Sequence, residues 1–136
     1  MYCANDFIED YALKTMADAE DLAGLIVEPV QSDGGDIVPP QGYLDELKKL
    51  ADKYGMLFVV DEVKVGFGRT GKMFGVQHSA AIPDIVVVGK PIASGMPLSA
   101  CVCKGEILDA LVGTHLVTTG GNPVSCAAGL ATMRQE

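Results

Sequence analysis

LFVVDEVKVGFGRTGKMFG, residues 57–75, decides the fold by the order of its parts. Leu57, Phe58, Val59 and Val60 form a continuous apolar run of the kind buried parallel strands have, and two acids, Asp61 and Glu62, end it. The glycines that follow fit two phosphate-binding patterns at once. Gly66, Gly68 and Gly71 match G-x-G-x-x-G, and Gly66 through Lys72 match G-x-x-x-x-G-K. Both readings fail on chemistry. A phosphate loop of the second kind needs Ser or Thr after its Lys to hold magnesium, and residue 73 is Met. Glu62, Val63, Lys64 and Val65 stand between Asp61 and the first glycine, and Phe67 sets a bulky ring among the glycines. A dinucleotide site would place its acid about 20 residues after the glycines, whereas Asp61 and Glu62 precede them. What remains is a strand ending in an acid, followed by a loop in which the backbone turns sharply.

Outward from this stretch, strand and helix patterns alternate. Residues 7–20 read as a helix, and residues 24–29, GLIVEP, as an apolar strand ended by Pro29. Tyr43, Leu44, Leu47, Leu50 and Ala51 recur at helical spacing, with Gly55 as the stop. Residues 84–88 and 98–102 read as further strands, and residues 106–111 as a short helix. A last helix starts with Asn122 as cap and Pro123 at the first helical position. Asp45, Glu46, Lys48 and Lys49 lie at pairing distance on their helix and read as its solvated face. The pattern is that of an α/β fold with a mostly parallel sheet flanked by helices.

Composition narrows the class. The 136 residues are 49% hydrophobic, enough for one core. A formal net charge of −8 argues against nucleic acid and anionic membrane surfaces as partners. No apolar run reaches the length of a membrane span, and the acidic start, Asp6, Glu9 and Asp10, is unlike a signal peptide. Four cysteines without regular spacing point to a reducing, cytoplasmic setting. Cys101 and Cys103 share a strand face and read as small buried hydrophobes in preference to metal ligands.

The chemistry gathers at strand ends, where open α/β sheets bind ligands. Three of these ends carry polar residues: Glu28, Asp61 and Lys90. Lys90 follows Val86, Val87, Val88 and Gly89, so apolar surroundings are expected to lower its pKa and favour the nucleophilic amine. Pro91 biases it toward an extended backbone. A strand-end acid and a strand-end lysine suit pyridoxal 5′-phosphate, which needs an amine for its aldehyde and a carboxylate at its pyridine nitrogen. Thr118, Thr119, Gly120, Gly121 and Asn122, leading into a helix, offer hydroxyls and backbone N–H groups for the phosphate. Lone histidines, His78 and His115, read as surface or loop residues.

At these residues the sequence resembles the class III pyridoxal-phosphate-dependent aminotransferases of fold type I. IVEPVQSDGGDIVPPQGYL, LFVVDEVKVGFGRTGKMFG, PDIVVVGKPIASGMPLSA and TTGGNPVSCAAGLA stand as successive blocks in that family's order. The resemblance implies that Asp61 pairs with the pyridine nitrogen and that Val63 packs on the ring. It implies that Lys90 holds the cofactor's aldehyde carbon and carries a proton from the substrate's α-carbon. Thr118 would bind phosphate, usually across the interface of a homodimer, and Glu28 matches a glutamate near the substrate. Two positions depart from the family. Lys64 stands where many members have Gln near the cofactor's phenolic oxygen, and a cation there would favour the phenolate. Pro91 stands where a small residue is usual.

The implied function is transfer of an amino group between an amino acid or amine and a keto acid. The blocks also resemble a branch containing amino-acid epimerases such as isoleucine 2-epimerase, so a racemase or epimerase of the same fold is the alternative. A third reading is a catalytically inactive chain that binds a full-length relative. Members of the family are far longer. Residues 1–136 are therefore expected to form part of the cofactor-binding large domain, with N-terminal segments and a C-terminal small domain lying outside them.

Overall fold

The computed structural model of the chain describes residues 4–110, 113 and 116–135. Four strands form one sheet: β1 (Gly24–Val27), β2 (Leu57–Asp61), β3 (Ile85–Val88) and β4 (Ala100–Cys103), side by side in that order. The first three are parallel, and β4 returns antiparallel to β3. The fold is α/β with a mostly parallel sheet, as the alternating pattern implied. β4 starts two residues later than the sequence indicated, because residues 90–99 first form a tight turn and a loop. The N-terminal helix runs as α1 (Ala4–Phe7) and widens over Ile8–Met16, ending where Ala17 turns extended. It stops short of Glu20, and Asp18 caps a separate turn at Ala19–Asp21 by accepting from the Glu20 N–H at 3.1 Å.

Helix α2 (Tyr43–Lys53) crosses from β1 to β2. Its buried residues are Leu44, Leu47, Leu50 and Ala51, the positions that the helical spacing singled out. Gly55 ends it with φ 66°, while the Met56 N–H donates to the Ala51 carbonyl at 2.9 Å and the Gly55 N–H to that of Asp52 at 3.3 Å. These two bonds satisfy carbonyls that a helix end otherwise leaves bare, and the left-handed turn they require is open to glycine without strain. Against α2 pack Phe58 and Val60 of β2, both fully buried, with Met56 and Val76. Each large side chain so buried contributes roughly 1.5–3 kcal/mol.

The apolar run of β2 suggested burial on both faces, and the structure corrects this. Burial alternates, with Phe58 and Val60 turned toward α2 and Leu57, Val59 and Asp61 on the opposite face. On that face the register aligns Ile26, Val59, Ile85 and Cys103 in one row and Asp61, Val87 and Cys101 in the next. No described helix covers it, and Ile26 is 66% exposed. The cysteines share a face as expected but are not buried there: Cys101 is exposed and Cys103 half-buried.

The charged face of α2 is only partly solvated. Lys49 pairs with Glu46 at 2.6 Å in the open, whereas Lys48 reaches Asp84, at the start of β3, at 3.1 Å. Asp84 also accepts from the Phe58 N–H at 2.9 Å, so it ties helix, strand and loop together. Burial acts to raise the Asp84 carboxyl pKa, but the Phe58 N–H and the Lys48 ammonium outweigh it and hold it below 3.8. A depressed acid stabilises the fold fully above its unfolded value and loses that contribution as pH falls through the folded one. Asp84→Asn is therefore expected to lower the thermal midpoint at neutral pH, with the gap to the parent chain narrowing below pH 3.8. A gap independent of pH would refute the role.

A second core cluster holds Phe67, Val88, Ile92 and Ala93, with Met73, Phe74, Leu98 and Ala128 packed on it. After α3 (Gly105–Asp109), helix α4 (Pro123–Met133) docks on this cluster. Its Gly129 is buried, and a Cβ there would come within 2.7 Å of Leu98 Cδ2 and 3.5 Å of the Ile92 carbonyl oxygen. Ser94 and Thr132 share a hydroxyl hydrogen bond of 2.8 Å beside it. α4 thus braces the turn Lys90–Ala93. Gly129→Val should push the helix off that turn and destabilise the chain by about 1–3 kcal/mol, read from urea unfolding.

Candidate functional site

Parallel pairing aligns strand ends. Val27 lies beside Val60 and Asp61 beside Val87, so Glu28, Asp61 and the turn that opens with Lys90 share the carboxyl edge of the sheet. Asp61 Oδ1 accepts from the Val63 N–H at 2.9 Å, a local bond that fixes the carboxylate at the strand end. Glu28 Oε2 accepts from the Ser32 N–H at 3.0 Å. Both acids line an open cleft of about 800 Å³, together with Ile26, Gln31 and Tyr43. Lys90, Val63, Lys64 and Thr118 do not line that cleft.

Lys90 departs from its expected conformation. In place of an extended backbone it has φ 40° and opens a short helical turn, so the bias from Pro91 is overridden. The packing of α4 against Ile92 and Ala93 fixes the turn, and the lysine must adopt whatever backbone joins it to β3. A non-glycine residue held there stores on the order of 1–3 kcal/mol, strain that concentrates at functional sites. The apolar enclosure expected from the valines is also absent, for Lys90 is exposed. Gly89 is buried, and a Cβ on it would meet Val63 Cγ1 at 3.3 Å, so Val63 lies close against the backbone that carries Lys90.

Lys64 is turned elsewhere. Its ammonium pairs with Asp36, which sits in a left-handed conformation within the loop closed by the Gln31 and Ile37 bridge. Lys64 therefore braces the rim of the cleft. The glycine loop is a folded turn with its donors spent internally: Gly66 N–H on the Glu62 carbonyl at 2.9 Å, Phe67 N–H on that of Met73 at 2.7 Å, Gly71 N–H on that of Gly68 at 3.0 Å. A Cβ at Gly66 would come within 2.8 Å of the Glu62 carbonyl oxygen, which accounts for that glycine without a phosphate.

Thr118 is exposed in a turn before α4. The helix start is less open to an anion than the sequence implied, because Asn122 Oδ1 already accepts from the Val124 N–H at 2.9 Å and the Ser125 N–H at 3.3 Å. His78 Nε2 lies 3.0 Å from the Thr70 carbonyl oxygen and serves the loop, while His115 falls outside the described residues. Met73 packs on the second cluster, but Met96 and Met133 are exposed.

One residue escaped the sequence reading. Glu62 is fully buried, and its carboxylate accepts from the Gly75 N–H at 2.9 Å and the Val76 N–H at 2.7 Å. Burial pushes its pKa up, and the Val76 and Gly75 N–H groups pull the other way. Strand parity could have found it: two residues past Val60, Glu62 falls on the face that α2 covers.

The chain as a whole is similar to solved structures. A thermostable (S)-enantioselective ω-transaminase from Thermomicrobium roseum is 38% identical, with a TM-score of 0.87 over 96% of this chain and 30% of its own. An ornithine aminotransferase from Toxoplasma gondii, with partial occupancy of pyridoxal phosphate at its active site, is 37% identical, with a TM-score of 0.83 over 90% of this chain and 28% of its own. An acetylornithine aminotransferase from Elizabethkingia anophelis is 36% identical, with a TM-score of 0.86 over 97% of this chain and 33% of its own. The chain thus spans about 30% of the length of the T. roseum enzyme it matches. Residues 3–135 match the family model of aminotransferase class III, and the chain belongs to that family of fold type I enzymes.

Proposed function

We propose that the chain forms part of the cofactor-binding large domain of an aminotransferase. That enzyme moves an amino group between an amino acid or amine and a keto acid, with pyridoxal 5′-phosphate as cofactor. The reading is supported above all by the parallel register, with Glu28, Asp61 and the Lys90 turn along one edge. The relatives are transaminases, which favours amino transfer over epimerisation. The residues present suit the cofactor chemically: an exposed primary amine, a carboxylate beside an open cleft, and hydroxyls at Thr118 and Thr119. When bound, pyridoxal phosphate supplies an aldehyde for an amine and a protonated ring that draws electron density from the substrate's α-carbon.

Each residue then has a task. Lys90 would hold the cofactor's aldehyde carbon through Nζ, and as a free amine that Nζ would take the proton from the substrate's α-carbon. Asp61 would hold a proton on the pyridine nitrogen, with its own orientation kept by the Val63 N–H. Val63 offers an apolar surface next to the Lys90 backbone for the ring. Glu28 faces the cleft where a substrate side chain would enter. Thr118 would bind the phosphate, and its position off the cleft accords with a contact made across a homodimer. Lys64, engaged with Asp36, would act on the cofactor's phenolic oxygen only by giving up that pair. Among the described residues no helix is long and apolar enough to cross a membrane, and the four irregularly spaced cysteines support a reducing, cytoplasmic setting.

Borohydride reduction of the chain with pyridoxal phosphate, followed by peptide mass analysis, is expected to place the pyridoxyl group on Lys90. Label on Lys64 or Lys72 would overturn the assignment. In the intact enzyme, Asp61→Asn should leave that labelling in place and slow exchange of the substrate's α-proton at least about tenfold, or ~1.4 kcal/mol of barrier. A smaller loss, followed by deuterium uptake into an amino acid, would remove the acid from its role.

A further inference from the structure

Every polar group of Glu62 is spent, on three separate segments. Its N–H donates to the Val87 carbonyl at 2.8 Å, joining the ends of β2 and β3. Its carbonyl accepts from Gly66 at 2.9 Å, closing the turn over Val63 and Lys64. Its two carboxylate oxygens accept separately, Oε2 from Gly75 at 2.9 Å and Oε1 from Val76 at 2.7 Å. The Gly75 turn packs in turn on the residue after Glu28, since a Cβ at Gly75 would lie 3.0 Å from Pro29 Cβ and 3.0 Å from Val65 Cγ2. Glu62 thus ties the end of β2 directly to β3 and to the Gly75 turn, and through that turn to Pro29 after β1.

A buried carboxylate is a poor filler. Removing its charge from water is unfavourable, and an apolar side chain of like volume would fill the same space at lower cost. What the carboxylate offers beyond volume is two directed acceptors. Asp61 precedes it in the chain, and the bond from the Val63 N–H to Asp61 Oδ1 spans it. A shift of Glu62 must therefore move the Asp61 carboxylate. We infer that Glu62 is a positioning residue, whose buried carboxylate anchors the strand end to the Gly75 and Val76 N–H groups and so holds Asp61 in its orientation at the cleft. The titratable groups acting on it are Asp61 and His78, and neither is bonded to its carboxylate. The catalytic meaning rests on the role proposed for Asp61, but the positional claim does not.

Amide hydrogen exchange on the full chain without cofactor tests it. In the parent chain, a denaturant series should give the Val63, Gly75 and Val76 amides one shared opening free energy. Glu62→Gln keeps the shape but turns an NH₂ toward one of the two donors, so these three amides should exchange at least about tenfold faster. The amides of Leu47 and Leu50 in α2 should hold their rates. Three results would each overturn the inference: Val63 unchanged while Gly75 and Val76 loosen, uniform acceleration that includes α2, or no change. If Glu62→Gln does not fold, the parent chain decides alone, because Val63 opening independently of Gly75 and Val76 is incompatible with the anchor. Labelling away from Lys90 would defeat the proposed function and leave this result standing.

Discussion

The site depends on one constraint: three strands paired in parallel must all end on the same side. β1, β2 and β3 run in register, so the residues leaving them, Glu28, Glu62 with Asp61 before it, and Gly89 with Lys90, are neighbours by geometry although far apart in sequence. An antiparallel arrangement would have sent alternate ends to opposite sides. β4, which does run antiparallel, contributes none of these residues and lies at one edge of the described sheet.

Each strand is ended by a different device. Pro29 has no N–H to extend the β1 ladder, and it packs on Gly75. β2 ends where Asp61 folds back on the Val63 N–H and Glu62 dives into the core. β3 ends at Gly89, whose missing Cβ leaves room for Val63, and then at a lysine in a left-handed turn. The strained lysine persists because its surroundings over-determine it. Ile92 and Ala93 are buried in the second cluster, and α4 rests on them through Gly129. Contacts distributed over several residues can offset strain at one.

Signals that act locally were legible in the sequence. The helical spacing of Leu44, Leu47 and Leu50, the stop at Gly55 and the cap at Asn122 each depend on residues within a turn or two, and each was found. The polar residues at strand ends were legible for the same reason. What was not legible depends on partners distant in the chain. Lys64 meets Asp36 from 28 residues away, and Lys48 meets Asp84 from 36 away, pairings that no spacing rule announces. Pro91 predicted an extended Lys90, but helix α4, over thirty residues on, imposes the turn. Direction and burial of edge strands belong here too, since the short apolar β4 reads alike parallel or antiparallel, buried or bare. Glu62 is the instructive case between the two, since the alternation of β2 was readable but two adjacent acids drew a single reading as a strand end.

The uncovered face of the sheet bears on the proposed chemistry of Asp61. Its row continues through Val87 and Cys101, and the adjoining row is Ile26, Val59, Ile85 and Cys103, so apolar surface surrounds the acid on its own sheet. With water on that face, a carboxylate and a cation about 4 Å apart interact by only ~1 kcal/mol. At an effective dielectric near 20, typical of a partly enclosed site, the same pair gains ~4 kcal/mol. A carboxylate able to hold a proton on a ring nitrogen needs the second environment. The apolar rows supply one wall of it, and the Glu62 anchor fixes the acid against that wall. In the proposed complex, a cofactor ring bound beside Asp61 would supply a second wall by displacing water from the cleft. In that arrangement the acid gains its strength from the same binding event that brings the nitrogen to it.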